Sequence, residues 1–276
     1  MMIRRSWLGI AAVLMGLGAC SKTPDAPPAP SGPLRFELAS SDPVTHGERL
    51  SKVLGCSGCH GDDLTGQDWS DDMGTLWTAN LTQSAAKYSH EDLAAMITAG
   101  KRADRPLMDM PSYLFNGLNS ADVDAMVAYL KAQKPEGPVH PEPSMGPELL
   151  AMQARGEWMD SAAWVAGMQG KGPPDLGADH DYGRFIARAT CVECHGIDLT
   201  GGKEPMEADG NPPPDLRIVG SYSPEDFAAL MRTGKAAGAR EVGLMSQVAR
   251  RRYANFTEGE VGALRAYLTE LARHDP

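Results

Sequence analysis

The sequence predicts an all-α protein made of two homologous domains in tandem. Apolar residues recur at the helical i, i+3, i+4 spacing along much of the chain, whereas alternating strand patterns are nearly absent. A cysteine pair beginning at Cys56 recurs 135 residues later at Cys191, and the segments around the two pairs follow in the same order. With 21 prolines and 30 glycines among 276 residues, we expect long loops between the helices.

The two copies match over most of their length. Loop, helix-start and helix-end motifs recur with spacings that agree within a few residues. The matching segments are Gly-x-Asp-Leu-Thr-Gly at 61–66 and 196–201, Tyr-Ser-x-Glu-Asp at 88–92 and 222–226, and Ala-Tyr-Leu at 128–130 and 266–268. We therefore predict one domain at residues 41–134 and a second, homologous domain at 179–276.

Capping and apolar patterns predict the same helices in both copies. One helix precedes each cysteine pair, starting at Asp42-Pro43 in the first copy and covering 182–189 in the second. A further helix in each copy starts at a capping box and stops at a glycine, and the last helix presents an apolar face. The capping boxes and glycine stops are Ser89, Asp92 and Gly100 in the first copy and Ser223, Asp226 and Gly234 in the second. The last helix of the first copy has the apolar face Val123, Met126, Val127 and Leu130. The last helix of the second copy starts at a capping box of Thr257 and Glu260 and has the apolar face Val261, Leu264, Leu268 and Leu271.

Residues 135–178 are predicted to link the two domains. Both ends of this stretch are rich in proline and glycine, and its middle, 148–168, has helical composition with several large apolar side chains. We expect one helix in the linker, packed on one or both domains.

Each cysteine pair belongs to a Cys-x-x-Cys-His motif, the attachment signature of haem c. The first motif comprises Cys56, Cys59 and His60, and the second comprises Cys191, Cys194 and His195. Two thiols separated by two residues can form thioethers with the two haem vinyl groups, and the adjacent imidazole can ligate the iron. A redox dithiol does not need the histidine, and half a zinc site would not explain the recurrence. The sequence therefore predicts two covalently bound haem c groups.

The sixth ligand of each iron decides between electron transfer and catalysis. Met110 lies 50 residues after His60, and Met245 lies 50 residues after His195. This equal spacing selects Met110 and Met245 as axial ligands, with Met108 the main rival in the first copy. A methionine ligand is typical of electron-transferring haems with a raised potential, whereas an open position permits catalysis. His46, His90 and His180 are weaker ligand candidates.

The N-terminus resembles a bacterial lipoprotein signal. Arg4 and Arg5 precede an apolar run at 7–17, which is shorter than the about 20 residues a spanning helix needs. Leu-Gly-Ala-Cys at 17–20 resembles a lipobox, so we expect residues 1–19 to be removed and Cys20 to be lipidated. Ordinary signal cleavage, with Cys20 a spare thiol, is the alternative. Residues 20–40 are then predicted to be a flexible tether to the membrane.

Composition narrows the function classes further. A net charge of −10, with no basic run longer than Arg250–Arg252, argues against nucleic acid as a partner. An apolar content of 42% is too low for a multi-span membrane protein. Five aspartates follow the first cysteine pair and either steer a basic partner or simply form a solvated loop. They are Asp62, Asp63, Asp68, Asp71 and Asp72.

With its Cys-x-x-Cys-His-Gly motif, Met110-Pro111 and a final helix ending Ala-Tyr-Leu, the chain resembles class I cytochromes c in tandem. The Asn-Leu-Thr segment at 80–82, the Tyr-Ser-x-Glu-Asp phrase and the Gly-Lys helix end are similar to cytochrome c subunits of bacterial membrane-bound alcohol and gluconate dehydrogenases. This resemblance implies a small helical shell around each haem. It also implies transfer of electrons from a donor dehydrogenase to an acceptor cytochrome or oxidase. Unlike the usual three-haem subunits of that group, this chain has two motifs, and Ser246 stands where a proline would follow Met245.

Three functions follow from these observations. The first is a non-enzymatic electron carrier in the bacterial periplasm, anchored to a membrane by lipid. The second is a dihaem redox enzyme similar to cytochrome c peroxidase or thiosulfate dehydrogenase, which needs one open or unusually ligated haem. The third, a haem-based sensor, lacks any sign of an output domain. The similar copies, each with a methionine at the same distance, favour the carrier.

Overall fold

The computed structural model describes residues 32–206 and 210–274. Cys20, the predicted signal peptide and most of the predicted tether lie outside these residues. The helices are α1 Pro43–Val53, α2 Cys56–His60, α3 Leu81–Lys87, α4 His90–Ala99, α5 Ser112–Phe115, α6 Ser120–Lys131, α7 Pro147–Ala154, α8 Ser161–Gly167, α9 Asp181–Thr190, α10 Val192–His195, α11 Pro224–Thr233, α12 Leu244–Arg251 and α13 Glu258–Leu271. Short 3₁₀ turns cover Ala178–His180, Leu216–Ser221, Ala237–Ala239 and Tyr253–Asn255. Two two-residue strands, β1 Gly74–Thr75 and β2 Ser144–Met145, pair antiparallel, with Gly74 opposite Met145.

The helix ends follow the local sequence signals closely. Ser89 and Asp92 form a complete capping box at α4, and Thr257 and Glu260 form one at α13. At α11 the Ser223 side chain accepts the Asp226 N–H, but the reciprocal bond to the cap backbone is missing. The last helix of each copy buries the apolar face predicted for it.

In each half, the helix before the cysteine pair crosses the last helix at a glycine. We call residues 43–134 the first half and 181–271 the second half. A Cβ at Gly47 of α1 would lie 1.9 Å from the Ala125 carbonyl oxygen of α6. In the second half, a Cβ at Gly183 of α9 would lie 2.2 Å from the Ala263 carbonyl oxygen of α13. Both helix pairs therefore approach backbone to backbone, as only glycine permits.

Gly47→Ala and Gly183→Ala are each expected to destabilise the protein. Alanine normally stabilises a helix interior relative to glycine by about 0.5–1 kcal/mol. Here the added methyl group would meet a carbonyl that cannot move alone, so the loss should reach the upper end of the about 1–3 kcal/mol typical of overpacking. Urea unfolding followed by circular dichroism measures it. Gly167→Ala, where nothing lies within 4 Å of the added carbon, is the control. Midpoints equal to that control would contradict the tight crossing.

The linker differs from its prediction. Residues 135–178 hold two helices, α7 and α8, because the chain leaves the helix at Arg155, Gly156 has φ of 72°, and Asp160 caps the start of α8. The linker packs on both halves. Its Ser161 N–H donates to the Leu107 carbonyl at 2.9 Å in the first half, and its Pro174 carbonyl accepts the Tyr267 hydroxyl at 2.9 Å in the second. Strand β2 of the linker pairs antiparallel with β1 of the first half.

The end of the predicted tether is packed rather than free. Phe36 is fully buried, its ring lies 5.2 Å from that of Phe185, and its N–H donates to Asp122 at 2.9 Å. Burying a phenylalanine side chain is worth about 1.5–3 kcal/mol, and together with the bonds of the Phe36 and Glu37 N–H groups it offsets part of the entropy of ordering this segment. Within the described ranges, no helix has the length and apolar content needed to cross a bilayer.

The two halves meet through a buried ion pair. Arg49 of α1 reaches Glu260 of α13, with Nη1 and Nη2 lying 2.8 and 3.1 Å from the two carboxylate oxygens. The Glu260 side chain is fully buried, and it also accepts the Glu37 N–H at 3.0 Å. The contact joins α1, which precedes the first cysteine motif, to α13, the last helix of the second half.

Candidate functional site

The first Cys-x-x-Cys-His motif occupies one short helix, α2. Gly55 precedes it with φ of 80°, a left-handed conformation that turns the chain sharply from α1 into α2. One and a half helical turns then carry Cys56, Cys59 and His60. The residues of the motif are thus presented together at one wall of a cleft.

That cleft has the composition of a site for a large apolar group with sulfur and nitrogen ligands. The space in this cleft, counted together with the open solvent at its mouth, is about 1180 Å³. Its walls include Cys56, Cys59, His60, Leu54, Leu81, Ile97, Phe115, Met126, Leu130, Trp69, Trp77, Met108, Met110, Arg105 and Glu193.

A backbone carbonyl orients the imidazole of His60. Its Nδ1 lies 2.8 Å from the Ala79 carbonyl oxygen, so this nitrogen carries the proton and donates. The other ring nitrogen, Nε2, therefore keeps its lone pair for a metal. Burial lowers the pKa of His60, and the bond to Ala79 only partly opposes that shift. The ring is thus held as a neutral ligand.

The second half repeats this arrangement. His195 Nδ1 lies 2.8 Å from the Pro214 carbonyl oxygen, and the partner follows the histidine by 19 residues, as in the first half. Burial likewise lowers the pKa of His195. The loops that follow the two histidines make the same backbone hydrogen bond. The Gly66 N–H donates to the His60 carbonyl at 2.8 Å, and the Gly201 N–H donates to the His195 carbonyl at 2.9 Å.

The four motif thiols are free and poorly exposed. Cys56, Cys59 and Cys194 are partly buried, and Cys191 is buried. Burial raises the pKa of Cys56 and of Cys194 to about 11, and raises those of Cys59 and Cys191 as well. These thiols are not poised as thiolates of a redox dithiol, which needs a lowered pKa.

The two methionines predicted as axial ligands lie in different local structures. Met110 sits in the loop before α5, follows Asp109 with its positive φ of 51°, and lines the cleft. Met245 is the second residue of α12 and not part of a loop. Both pack against the buried core. Met108 also lines the cleft, so the choice between Met108 and Met110 stays a prediction.

The other histidines and the acidic loop have local partners. His46 is buried between α1 and α6, 3.6 Å from Asp122, rather than at the surface. His90 pairs with exposed Asp124. Three of the five aspartates accept N–H groups of their own loop, at Thr65, Ser70 and Met73. Asp62 pairs with Arg251. These bonds favour a structural role for the loop.

Sequence reasoning missed the carbonyls of Ala79 and Pro214 and the side chains of Arg105, Glu193 and Arg252. The only sequence signal for the two carbonyls is their spacing, because each follows its motif histidine by 19 residues. Glu193 lies inside the second motif and yet lines the cleft of the first half, a contact that no local pattern announces.

The residues of the first half fit a haem c. One wall carries two thiols and the neutral imidazole of His60, whose Nδ1 is bonded to the Ala79 carbonyl. Apolar side chains and methionine sulfurs form the other walls. In the second half, His195 makes the equivalent bond to a carbonyl and lies beside the second pair of thiols, Cys191 and Cys194.

Comparison with known proteins agrees with this fit. The family model Cytochrome c matches residues 44–134. The chain is also 24% identical over 259 residues to the fructose dehydrogenase cytochrome subunit of Gluconobacter japonicus, a match covering 83% of this chain and 52% of that protein. This chain thus spans about half the length of that relative. Residues 44–134 are thus similar to a cytochrome c domain, a family that carries covalently bound haem c, and the chain as a whole is similar to the cytochrome subunit of a dehydrogenase.

Proposed function

We propose that this protein is a dihaem c-type cytochrome that relays single electrons between a donor dehydrogenase and a respiratory acceptor. The observation that carries the proposal is the repeated site: each half holds a Cys-x-x-Cys-His motif whose histidine donates to a carbonyl 19 residues later. A site built twice, with the same orientation of the ligand, is best explained by two groups of the same kind.

A haem c supplies a one-electron iron couple when bound. Cys56 and Cys59 in the first half, like Cys191 and Cys194 in the second, would hold the haem covalently. His60 and His195 would each supply a nitrogen ligand, oriented by the carbonyls of Ala79 and Pro214. The apolar side chains of the cleft exclude water, which limits the reorganisation that accompanies a change of charge.

Met110 and Met245 are proposed as the sixth ligands. A thioether in this position stabilises the reduced iron and leaves no open coordination site for a substrate. The protein then needs only an exposed edge for each electron partner and no catalytic residue.

The physiological setting is proposed from the N-terminal sequence and the similar protein. The basic start, the short apolar run and Cys20 support export to the bacterial periplasm and a lipid anchor. The likeness to a cytochrome subunit of fructose dehydrogenase supports a dehydrogenase as the electron donor. An acceptor cytochrome or oxidase of the respiratory chain would complete the relay.

A dihaem redox enzyme of the peroxidase type is the second candidate. The two proposed methionine ligands differ in local structure, because Met245 lies at the start of a helix and Met110 lies in a loop. Such an enzyme needs an asymmetric pair, with one haem transferring electrons and the other open. A high-spin signal in the oxidised protein, together with peroxide reduction, would favour this candidate over the carrier.

Haem counting tests the proposal directly. The protein, expressed with a haem c maturation system, is expected to carry two haems per chain, measured as pyridine haemochrome and by intact mass. The double variant Cys191→Ser/Cys194→Ser should carry one haem, and so should Cys56→Ser/Cys59→Ser. Both proteins should retain the absorption of the remaining site. A wild-type protein with one haem, unchanged by the substitutions in the second half, would overturn the dihaem proposal.

A further inference from the structure

We propose that Arg252, together with Tyr253, clamps the two Cys-x-x-Cys-His motifs against each other, so that electrons pass directly between the two haem sites within one chain. In this arrangement the Arg252 cation and the Glu193 carboxylate bias the reduction potentials of the sites in opposite directions. The inference rests on the proposed function, because it needs two haems. In each transfer one site loses an electron and the other gains it, with no bond or proton exchanged.

Arg252 grips the chain just before the first motif. Its Nε donates to the Val53 carbonyl at 3.2 Å, and its Nη2 donates to the Leu54 carbonyl at 3.1 Å. These carbonyls terminate α1 and would otherwise lack partners at the helix end. Cys56 follows two residues later, so the guanidinium holds the backbone from which the first motif starts.

Gly55 makes room for this grip. A Cβ at Gly55 would lie 2.6 Å from both Cζ and Nε of Arg252. The guanidinium is thus seated directly against the backbone between α1 and α2. A side chain at this position would push it away, so the contact depends on two residues that are 197 positions apart.

The next residue grips the second motif. The Tyr253 hydroxyl donates to the Thr190 carbonyl at 2.6 Å, and the tyrosine is buried. Thr190 is the last residue of α9 and directly precedes Cys191. Consecutive residues of one turn therefore hold the backbone just ahead of both cysteine pairs.

Charge connects the two motifs across the same contact. Arg252 Nη1 lies 3.4 Å from a carboxylate oxygen of Glu193, which lies between Cys191 and Cys194. Glu193 is also a wall residue of the first cleft. The second motif therefore forms part of the first site, and no other segment separates them at this point.

The Arg252 cation lies at the junction of the two motifs. It is bonded to the carbonyls ahead of the first motif and paired with Glu193 of the second. The side chain of Arg252 is only 15% exposed, so water screens this charge weakly. A fixed, poorly screened cation between two redox centres favours their reduced forms, whereas a fixed anion favours the oxidised forms.

The test is a spectroelectrochemical titration of the haem-loaded protein. Arg252→Gln is expected to lower the reduction equilibrium constant of at least one site by about tenfold, equivalent to about 59 mV for one electron. Glu193→Gln should shift a potential upward, and Arg252→Lys, which keeps the charge, should leave the potentials close to the wild type. Arg251→Gln is the matched control, because Arg251 pairs with Asp62 at the exposed surface.

Potentials of Arg252→Gln that coincide with those of Arg251→Gln would overturn the proposed role of the clamp. Shifts of Arg252→Gln and Glu193→Gln in the same direction would overturn the charge argument. Haem counting on each variant separates this result from the proposed function: a protein with one haem contradicts the dihaem proposal, whereas two haems with unshifted potentials contradict only the clamp.

Discussion

Glu260→Ala is expected to lower the free energy of unfolding by about 3–5 kcal/mol, the usual cost of removing one partner of a buried ion pair. The substitution leaves Arg49 with its charge in a largely buried position. It also removes the acceptor of the Glu37 N–H and the glutamate of the α13 capping box. The same change thus weakens a helix start and the contact between the two halves.

Chemical unfolding of the haem-loaded protein, followed by far-ultraviolet circular dichroism, measures this loss. Glu258→Ala is the control, because Glu258 lies in the same helical turn and pairs with Arg232 while its side chain is 93% exposed. Exposed pairs of this kind contribute little. Equal midpoints for the two variants would show that the buried pair does not couple the halves.

Met110→His and Met245→His are expected to have the largest effect on function. Exchanging the thioether for an imidazole would replace the proposed ligand, which favours reduced iron, and axial ligands tune haem potentials over about 0.8 V. In each variant, the reduction potential of one haem should therefore fall by a sizeable part of that range. Each should also lose half of the weak near-infrared sulfur-to-iron absorption.

Two leucine variants make this prediction specific. Met108→Leu removes the rival sulfur of the first cleft, and Met231→Leu removes a buried core methionine of the second half. Both should keep the near-infrared band and the potentials. A band halved by Met108→Leu and unaffected by Met110→His would assign Met108 as the ligand of the first haem.

The parts of the fold that depend on neighbouring residues could be predicted from sequence. The capping box at Ser89, the glycine stop at Gly100 and the apolar face of α6 involve residues a few positions apart, and all are present. The attachment motifs are equally local. Periodicity therefore located most helices of both halves.

What escaped prediction depends on contacts between distant or backbone groups. The bonds of His60 and His195 end on carbonyls, which every residue possesses, so the sequence does not mark them. The burial of Phe36 requires Asp122 and Phe185, and β2 pairs with a strand about 70 residues earlier. The grip of Arg252 on Val53 spans 199 residues. Such long-range contacts arise only when the two halves close on each other.

The position of the cysteines at the junction of the halves constrains the order in which the protein matures. Cys191 is only 8% exposed, and the backbone ahead of Cys56 is covered by Arg252. Covalent chemistry at the Cys191 sulfur needs access that the closed arrangement restricts. We therefore expect attachment at the second motif to come before the halves close.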